Sequence, residues 1–267
     1  MKTDNFNLLS PPERIDVLGV GVSVIDLDTA VEHILGWIES GARHYVCVTG
    51  VHGVMECRSD PRLRAIHNAS GLTVPDGIPL VWAGHLYGFP HMGRVYGPDL
   101  MLEICRESEK KGYTHFLYGG NEGKAEALKK SLTHKFPGLK VVGVRQDTFR
   151  PLNQEEEAEL INQVAQTRPD FFWVGVSTPK QIKFMADYLP KLDTKVMLGV
   201  GAAFDFHTGL IRDAPAWVKG IGMQWLHRLC QEPRRLWKRY LVNNPLFIYE
   251  FGRQLIKYKA RRRRKST

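Results

Sequence analysis

From Tyr113 onward the chain alternates short apolar runs with helical stretches of about 12 residues, and this rhythm constrains the fold more than any other feature. Thr114 to Tyr118, Leu139 to Val144, Phe171 to Val176 and Lys195 to Val200 read as strands. Lys124 to Phe136, with Ala125, Leu128 and Leu132 on one side, and Glu155 to Gln166 read as helices between them. Strands separated by helices pair in parallel, and a parallel sheet needs cover on both faces. Upstream, Ile15 to Val20, Tyr45 to Thr49 and Gly71 to Val74 read as further strands, and Ile78 to Tyr87 and Pro98 to Lys111 as helices. The expected fold class is α/β: a Rossmann-like parallel sheet with helices on both faces, plus a helical basic C-terminal appendage. Residues 1–13, with Pro11-Pro12, form a loose lead-in, 14–222 the α/β body and 223–267 the appendage.

The hydrophobic fraction of 43% fits a soluble globular chain, and no stretch approaches the roughly 18 consecutive apolar residues of a membrane span. The N-terminus lacks the apolar core of a signal peptide, which points to the cytoplasm. Cys47, Cys57, Cys105 and Cys230 show neither CxxC nor metal-ligand spacing and read as small hydrophobes in a reducing compartment. Charge is uneven. Residues 225–267 hold 13 Lys and Arg against Glu232 and Glu250, a net +11, which leaves the remainder near −2. A near-neutral body with a basic tail suits a polyanionic partner, either an anionic membrane surface or nucleic acid.

Several loops carry candidate chemistry. Asp26-Leu27-Asp28 has the form of a metal-holding DxD, but the capping-box spacing of Thr29 and Glu32 and the stripe behind them mark a helix start. Thr49-Gly50-Val51-His52-Gly53 lets backbone approach a phosphate or sugar, with His52 a possible hydrogen-bond donor or a structural loop residue. Asp76, between a strand and an apolar helix, fits two roles, a helix N-cap or a poised base at the sheet's carboxyl edge. Arg94 presents a fork of donors suited to a diphosphate, or is a solvated surface arginine. Gly175 to Gln181 leads into a Pro-started helix whose unpaired N–H groups suit an anion or uridine, with Gln181 placed to read it. Gly199-Val200-Gly201 lacks the third glycine and the distant acid of a dinucleotide fingerprint. In the tail, Phe247, Phe251 and Leu255 recur every fourth residue beside Arg253, Lys257 and Lys259 and before Arg261 to Lys265. Such a helix suits a membrane interface, or packs on its own body.

At this point the blocks VPDGIPLVWA, GRVYGPDLM, FLYGGNEGKAEALKKSL, RPDFFWVGVSTPKQ, GVGAAFDFHTG and QWLHRLCQEPRRLWKRYL resemble the WecG/TagA/CpsF glycosyltransferases in order over roughly residues 14–245. The resemblance implies transfer of a hexose or N-acetylhexosamine from a UDP-sugar to a polyprenyl-diphosphate-linked sugar. It also implies inversion, no metal or other cofactor, and work at the inner face of the cell membrane. Asp76 takes the place of the general base, Arg94 of the diphosphate-binding arginine and Gln181 of the glutamine in the PKQ turn. Arg228, Arg235 and Arg239 fall on the arginine-rich appendage, and Thr49, Gly50 and His52 join the substrate-binding set. An apolar appendage of this kind also suits a homo-oligomer.

Three departures stand out: Gly50 replaces an Asn, Ile182 replaces the Glu after PKQ, and Gln224 replaces a Glu before Trp-Leu-His-Arg. They leave the donor and acceptor sugars open. Two rivals remain at this level. One is a nucleic-acid-binding protein with a basic tail, which leaves the apolar stripe unexplained. The other is a non-catalytic sugar-nucleotide binder.

Overall fold

The computed structural model describes residues 10–148 and 150–265. Most of the expected lead-in (residues 1–9) and the side chains of Arg263 to Lys265 therefore lie outside the described residues. The chain opens with a hairpin, β1 (Arg14–Val17) and β2 (Val20–Ser23), where a single strand over 15–20 is expected. Leu18 and Gly19 both take positive φ, 54° and 89°, and turn the strand back on itself. Then follow α1 (Leu27–Ser40), β3 (His44–Thr49), α2 (Val51–Ser59), α3 (Pro61–Ala69), β4 (Leu72–Pro75), α4 (Ile78–Tyr87) and α5 (Gly97–Lys111). The regular half adds β5 (Thr114–Gly119), α6 (Lys124–Lys135), β6 (Lys140–Arg145), α7 (Gln154–Thr167), β7 (Phe171–Gly175), α8 (Lys180–Tyr188) and β8 (Val196–Gly199). Short helices α9 (Ala203–His207) and α10 (Ala216–Gly220) lead to α11 (Gln224–Gln231) and α12 (Pro233–Trp237). A π-helical turn, Lys238–Val242, joins α12 to the long α13 (Asn243–Lys265).

The six-stranded sheet runs β4-β3-β8-β7-β5-β6 and is parallel throughout, as the alternation predicts. Its two faces bury separate apolar layers. One holds Val54, Leu63, Ile182 and Met185 of α2, α3 and α8. The other holds Ile34, Leu100, Ile104 and Leu128 of α1, α5 and α6. Every strand is short and hands its chain to a loop at the carboxyl edge, so the loops after β3, β4, β5, β7 and β8 converge there. Two glycines allow that convergence. Gly119 sits at φ 135°, and a Cβ on it would lie 2.7 Å from the carbonyl carbon of Gly175. Gly119→Ala is expected to cost at least about 2 kcal/mol in urea unfolding, from strain plus backbone overlap.

Asp26, not Thr29, caps α1: its carboxylate accepts from the Thr29 N–H at 2.9 Å and from the Thr29 hydroxyl at 2.6 Å. The first acid of the apparent DxD is thus a helix start, and the capping box is not formed at Thr29. Asn153 and Glu156 do form one, at the start of α7.

His115 is enclosed in the sheet beside the rings of Phe171 and Trp173, with centroids 5.0 and 6.1 Å away. The Trp173 indole donates to its Nδ1 at 2.9 Å, and burial pushes its pKa from 6.5 down to about 3. The folded value lies below the unfolded one, so this group's contribution is full above pH 6.5 and is lost as the pH falls toward 3. Urea midpoints are expected to drop over that window. His115→Leu should flatten the drop while costing about 1–3 kcal/mol at neutral pH, because the indole loses its acceptor.

Of the two readings of the appendage stripe, its aromatic face takes the second, packing on the body. Phe247 and Phe251, 3% and 7% exposed, close on the first apolar layer, and Phe251 meets Tyr87 edge-on at 5.9 Å. Gln254 clasps the hairpin, accepting from Leu18 N–H and donating to the Asp16 carbonyl, each at 2.9 Å, and Glu250 pairs with Arg58 at 2.9 Å. The stripe read as a membrane face is therefore the docking face, because aromatic area of this size is best removed from water by the body itself. The opposite face shows Ile248 and Ile256, 70% and 71% exposed.

Candidate active site

The convergent loops and the appendage enclose one cleft with two lobes that share Asp76, Tyr96, Arg228 and Arg239. The outer lobe adds Gly50, His52, Arg94, Gln224 and Trp225. The inner lobe lies over the sheet edge and adds Ser177, Gln181, Lys124, Asp205 and Arg235. Eight of the nine residues singled out from sequence thus line a single space, although they come from four separate segments and the appendage.

Asp76 follows β4. It does not cap α4, whose cap is Gly77 with no side-chain bond. Its Oδ1 instead accepts from the Gly97 N–H at the start of α5, at 3.0 Å, and its own N–H donates to the Thr49 carbonyl at 2.9 Å. Among the described residues nothing hydrogen-bonds Oδ2, which faces Gly50. A Cβ on Gly50 would stand 4.0 Å from Oδ2 and 3.9 Å from Gly77 N, an ordinary contact. The glycine is therefore not forced by packing, and it leaves room beside the carboxylate. One oxygen is anchored and the other is open, as a base requires.

Thr49 is the one predicted residue outside the cleft lining. It is 2% exposed, and its hydroxyl lies 3.1 Å from His67 Nε2. His67 Nδ1 lies 3.1 Å from the Leu63 carbonyl, so the Nδ1–H tautomer donates there and Nε2 accepts from Thr49. Thr49 serves the site through its carbonyl, by holding Asp76.

His52 lies in the first turn of α2 and not in a loop, because Gly50 starts that helix. Burial, then the charge of Arg239, pushes its pKa from 6.5 to about 4. At neutral pH the ring is uncharged, its Nδ1 accepts from Asn243 Nδ2 at 3.3 Å, and Nε2 carries the proton.

Arg94 is more engaged than a diphosphate clamp alone requires. Its Nε donates to the Asp76 carbonyl, an Nη donates to Gln224 Oε1, and its plane lies 4.3 Å from the Tyr96 ring centroid. Gln224 passes the link on, donating at 2.9 Å to Asp213, which Lys219 also holds at 2.9 Å. At this position an amide bridges a cation and a carboxylate, which a glutamate would not do. The second departure has a packing reason: Ile182 is 1% exposed within the first apolar layer.

The three appendage arginines differ. Arg235 pairs with Glu232 on the rim, and Arg228 lies 3.7 Å from the same carboxylate. Arg239, on the π-turn, forms no ion pair among the described residues. The Nε atoms of Arg228 and Arg239 are enclosed without a hydrogen-bond partner, and burial lowers the Arg239 pKa. Gln181 shows the same feature: Nε2 donates to the Gly199 carbonyl at 3.0 Å while its enclosed Oε1 has no partner. Enclosed guanidinium nitrogens beside an open carboxylate oxygen suit an anion next to a group with a proton to give.

Sequence reasoning missed Tyr96, shared by both lobes, whose phenol is pushed well above its ordinary pKa by burial. It also missed the Lys124–Asp205 pair on the inner lobe. Their only signals, an aromatic beside Arg94 and a lysine after a glycine turn, are too common to single out.

The family model described as glycosyl transferase WecG/TagA/CpsF matches residues 15–263. The N-acetylglucosaminyldiphosphoundecaprenol N-acetyl-beta-D-mannosaminyltransferase of Bacillus subtilis strain 168 is 28% identical over 174 residues, which is 65% of this chain and 66% of that protein. The protein of the same name from Bacillus spizizenii is 26% identical over 186 residues, 70% of each chain. Its namesake from Staphylococcus aureus strain MRSA252 is 22% identical over 248 residues, 92% of this chain and 95% of that one. With the match running from the hairpin through the appendage to residue 263, the chain belongs to the WecG/TagA/CpsF family of glycosyl transferases.

Proposed function

We propose that this glycosyltransferase moves a hexose or N-acetylhexosamine from a UDP-sugar to a sugar carried on a polyprenyl diphosphate, with inversion and without a metal. The observation that carries the reading is the open Oδ2 of Asp76 in the same cleft as the unpartnered guanidinium nitrogens of Arg228 and Arg239. An acceptor hydroxyl is far too weak an acid to ionise at neutral pH, so it needs a base as it attacks. Asp76 takes that proton, the acceptor oxygen bonds to the anomeric carbon, and the bond to the β-phosphate breaks with its electron pair leaving on UDP. Arg239 and Arg228 offset the charge that grows on the diphosphate, a role a cation filled in advance serves without reorganisation.

Metal independence is part of the proposal, and what favours it is the placing of the Arg228 and Arg239 cations in the cleft, where they offset diphosphate charge without an ion. Transfer is expected to continue at an unchanged rate in EDTA, and a loss restored by a divalent cation would overturn this part. The relatives' names supply the best first acceptor, N-acetylglucosaminyl-diphosphoundecaprenol, and the best first donor sugar, N-acetylmannosamine. Gly50 and the amide of Gln224 leave the donor open, so the decisive experiment is a panel of UDP-sugars with a short-chain polyprenyl-diphosphate acceptor. Mass spectrometry reads the transfer and NMR the anomeric configuration. A retained configuration, or no transfer from any donor, would sink the reading.

A lipid acceptor implies work at a bilayer. No described helix is long and apolar enough to cross one. Contact is therefore peripheral on this reading, at the cytoplasmic face, through the outward side of α13. There Ile248, Tyr249 and Ile256 stand exposed near Arg253 and Lys257, a pattern that suits an anionic interface.

A further inference from the structure

We propose that the body carries a second lipid-contacting surface of its own, made by the outer face of α4 and the turn of α10, which seats the mouth of the Asp76 cleft in an anionic bilayer. This rests on the reading that the acceptor is lipid-linked, and it concerns a different part of the molecule from the basic tail. Helix α4 carries no charged side chain, and its one imidazole, His85, lies 3.0 Å from the Met92 carbonyl. Leu80, Val81, Ala83 and Gly84 face the core, yet Trp82 and Leu86, one turn apart, are 54% and 49% exposed. Large apolar side chains left in solvent on an uncharged helix mark a surface that meets a partner or lipid. The turn after α10 packs on it: a Cβ at Gly222 would lie 3.3 Å from Ile78 Cγ2 and 3.7 Å from Trp82 Cη2. Ile221 adjoins that contact and its N–H donates to the Trp217 carbonyl one turn before it at 3.2 Å, and the two side chains are 58% and 70% exposed. Ile78 and Gly222 themselves line the outer lobe, so the apolar face continues into the cleft.

Charge selects the occupant. Residues 77–93 contain no Asp, Glu, Lys or Arg, and Tyr87 at the end of α4 and Phe89 just past it share a groove with Lys257 and Arg261 of the appendage, beside Asp16 and Glu250. An apolar face with no acid of its own, next to the basic end of the appendage, complements an anionic leaflet. A second copy related by a two-fold axis would set the same cations against one another. Tryptophan distribution agrees: Trp82, Trp217 and Trp237 are each 46% exposed or more, and Trp237 stands on the appendage beside the cleft arginines Arg235 and Arg239. Exposed tryptophans gather where one end of the ring meets lipid and the other water.

The test is flotation of the full chain with vesicles of phosphatidylethanolamine and phosphatidylglycerol, at low and high salt. Salt screens the basic tail but not the apolar face. For Trp82→Ser/Leu86→Ser, partition at high salt is expected to fall by about tenfold or more, from the loss of two large apolar groups. Turnover on a water-soluble short-chain acceptor and the thermal midpoint should stay near wild type. Trp217→Ser/Ile221→Ser is the second variant if the first does not fold, with the same expectation. Unchanged partition in a folded variant overturns the surface, as does a loss confined to self-association in light scattering. The two readings fail separately. A chain that floats through this face but transfers to no lipid-linked acceptor removes the transferase reading and keeps the surface. One that transfers normally and floats equally well without these side chains removes the surface alone.

Discussion

Asp76→Asn is expected to fold as the parent does and to transfer sugar about 10²–10⁴-fold more slowly, the usual worth of a positioned base. The amide keeps what the carboxylate does structurally, since its oxygen still accepts from the Gly97 N–H that Oδ1 now holds at 3.0 Å. What it loses is the capacity of the second position to take a proton. The deficit should therefore appear in kcat, with donor KM little changed, as for a group that acts only in the transition state. Asp76→Ala should do both kinds of damage, adding a stability cost of about 1–3 kcal/mol from the orphaned amide. Single-turnover measurement with saturating donor separates the two. An Asn variant within tenfold of wild type would remove Asp76 as the base.

Arg239→Met should move stability and function in opposite directions. The guanidinium is enclosed at Nε without a partner, has no carboxylate within ion-pair distance among the described residues, and has its pKa lowered by burial. Such a charge is a cost in the ligand-free protein, and a thioether of similar length fills the space without it. The variant is expected to be more stable by about 1–3 kcal/mol in urea unfolding at neutral pH. UDP binding, by contrast, should weaken by about 10²-fold, because a buried charge-assisted contact to phosphate is lost. The same logic predicts that UDP raises the thermal midpoint of wild type and hardly moves that of the variant. A ligand-free variant less stable than wild type, with UDP affinity intact, would mean that Arg239 is a structural residue.

Much of the body was legible because its signals are local. An apolar run of five or six residues between turns, as at Phe171–Gly175, has few alternatives, and the regular half of the chain matches its expected elements within a residue or two. The hairpin was not legible in the same way. Whether Leu18 and Gly19 continue a strand or reverse it depends on whether the returning strand finds apolar cover, and both Val20 and Val22 are fully buried. Asp76 shows the middle case. Its residue type and place at a strand end marked it as a cap or a base. That its anchor is the α5 amide, 21 residues away and not in its own helix, comes from the crossing of two loops.

The tail marks the clearest division. Its amphipathic period and its basic end are written in the order of residues, and so is the helix they make. Which solvent the aromatic stripe meets is not, because a bilayer and a protein face both reward the removal of the same area from water. Only the packed body decides: a groove between the hairpin, α2 and α4 takes Phe247 and Phe251, and the exposed apolar surface shifts to Ile248, Ile256 and α4. The sequence by itself determined the parallel sheet, the carboxyl-edge loops and the residue types that handle protons and phosphate, since these follow from short-range periodicity and side-chain chemistry. Tertiary structure decided which of those side chains stand open and which are spent on holding others. Thr49 holds Asp76 from 27 positions away and Arg94 reaches Gln224 across 130, and no local pattern encodes a contact at that distance.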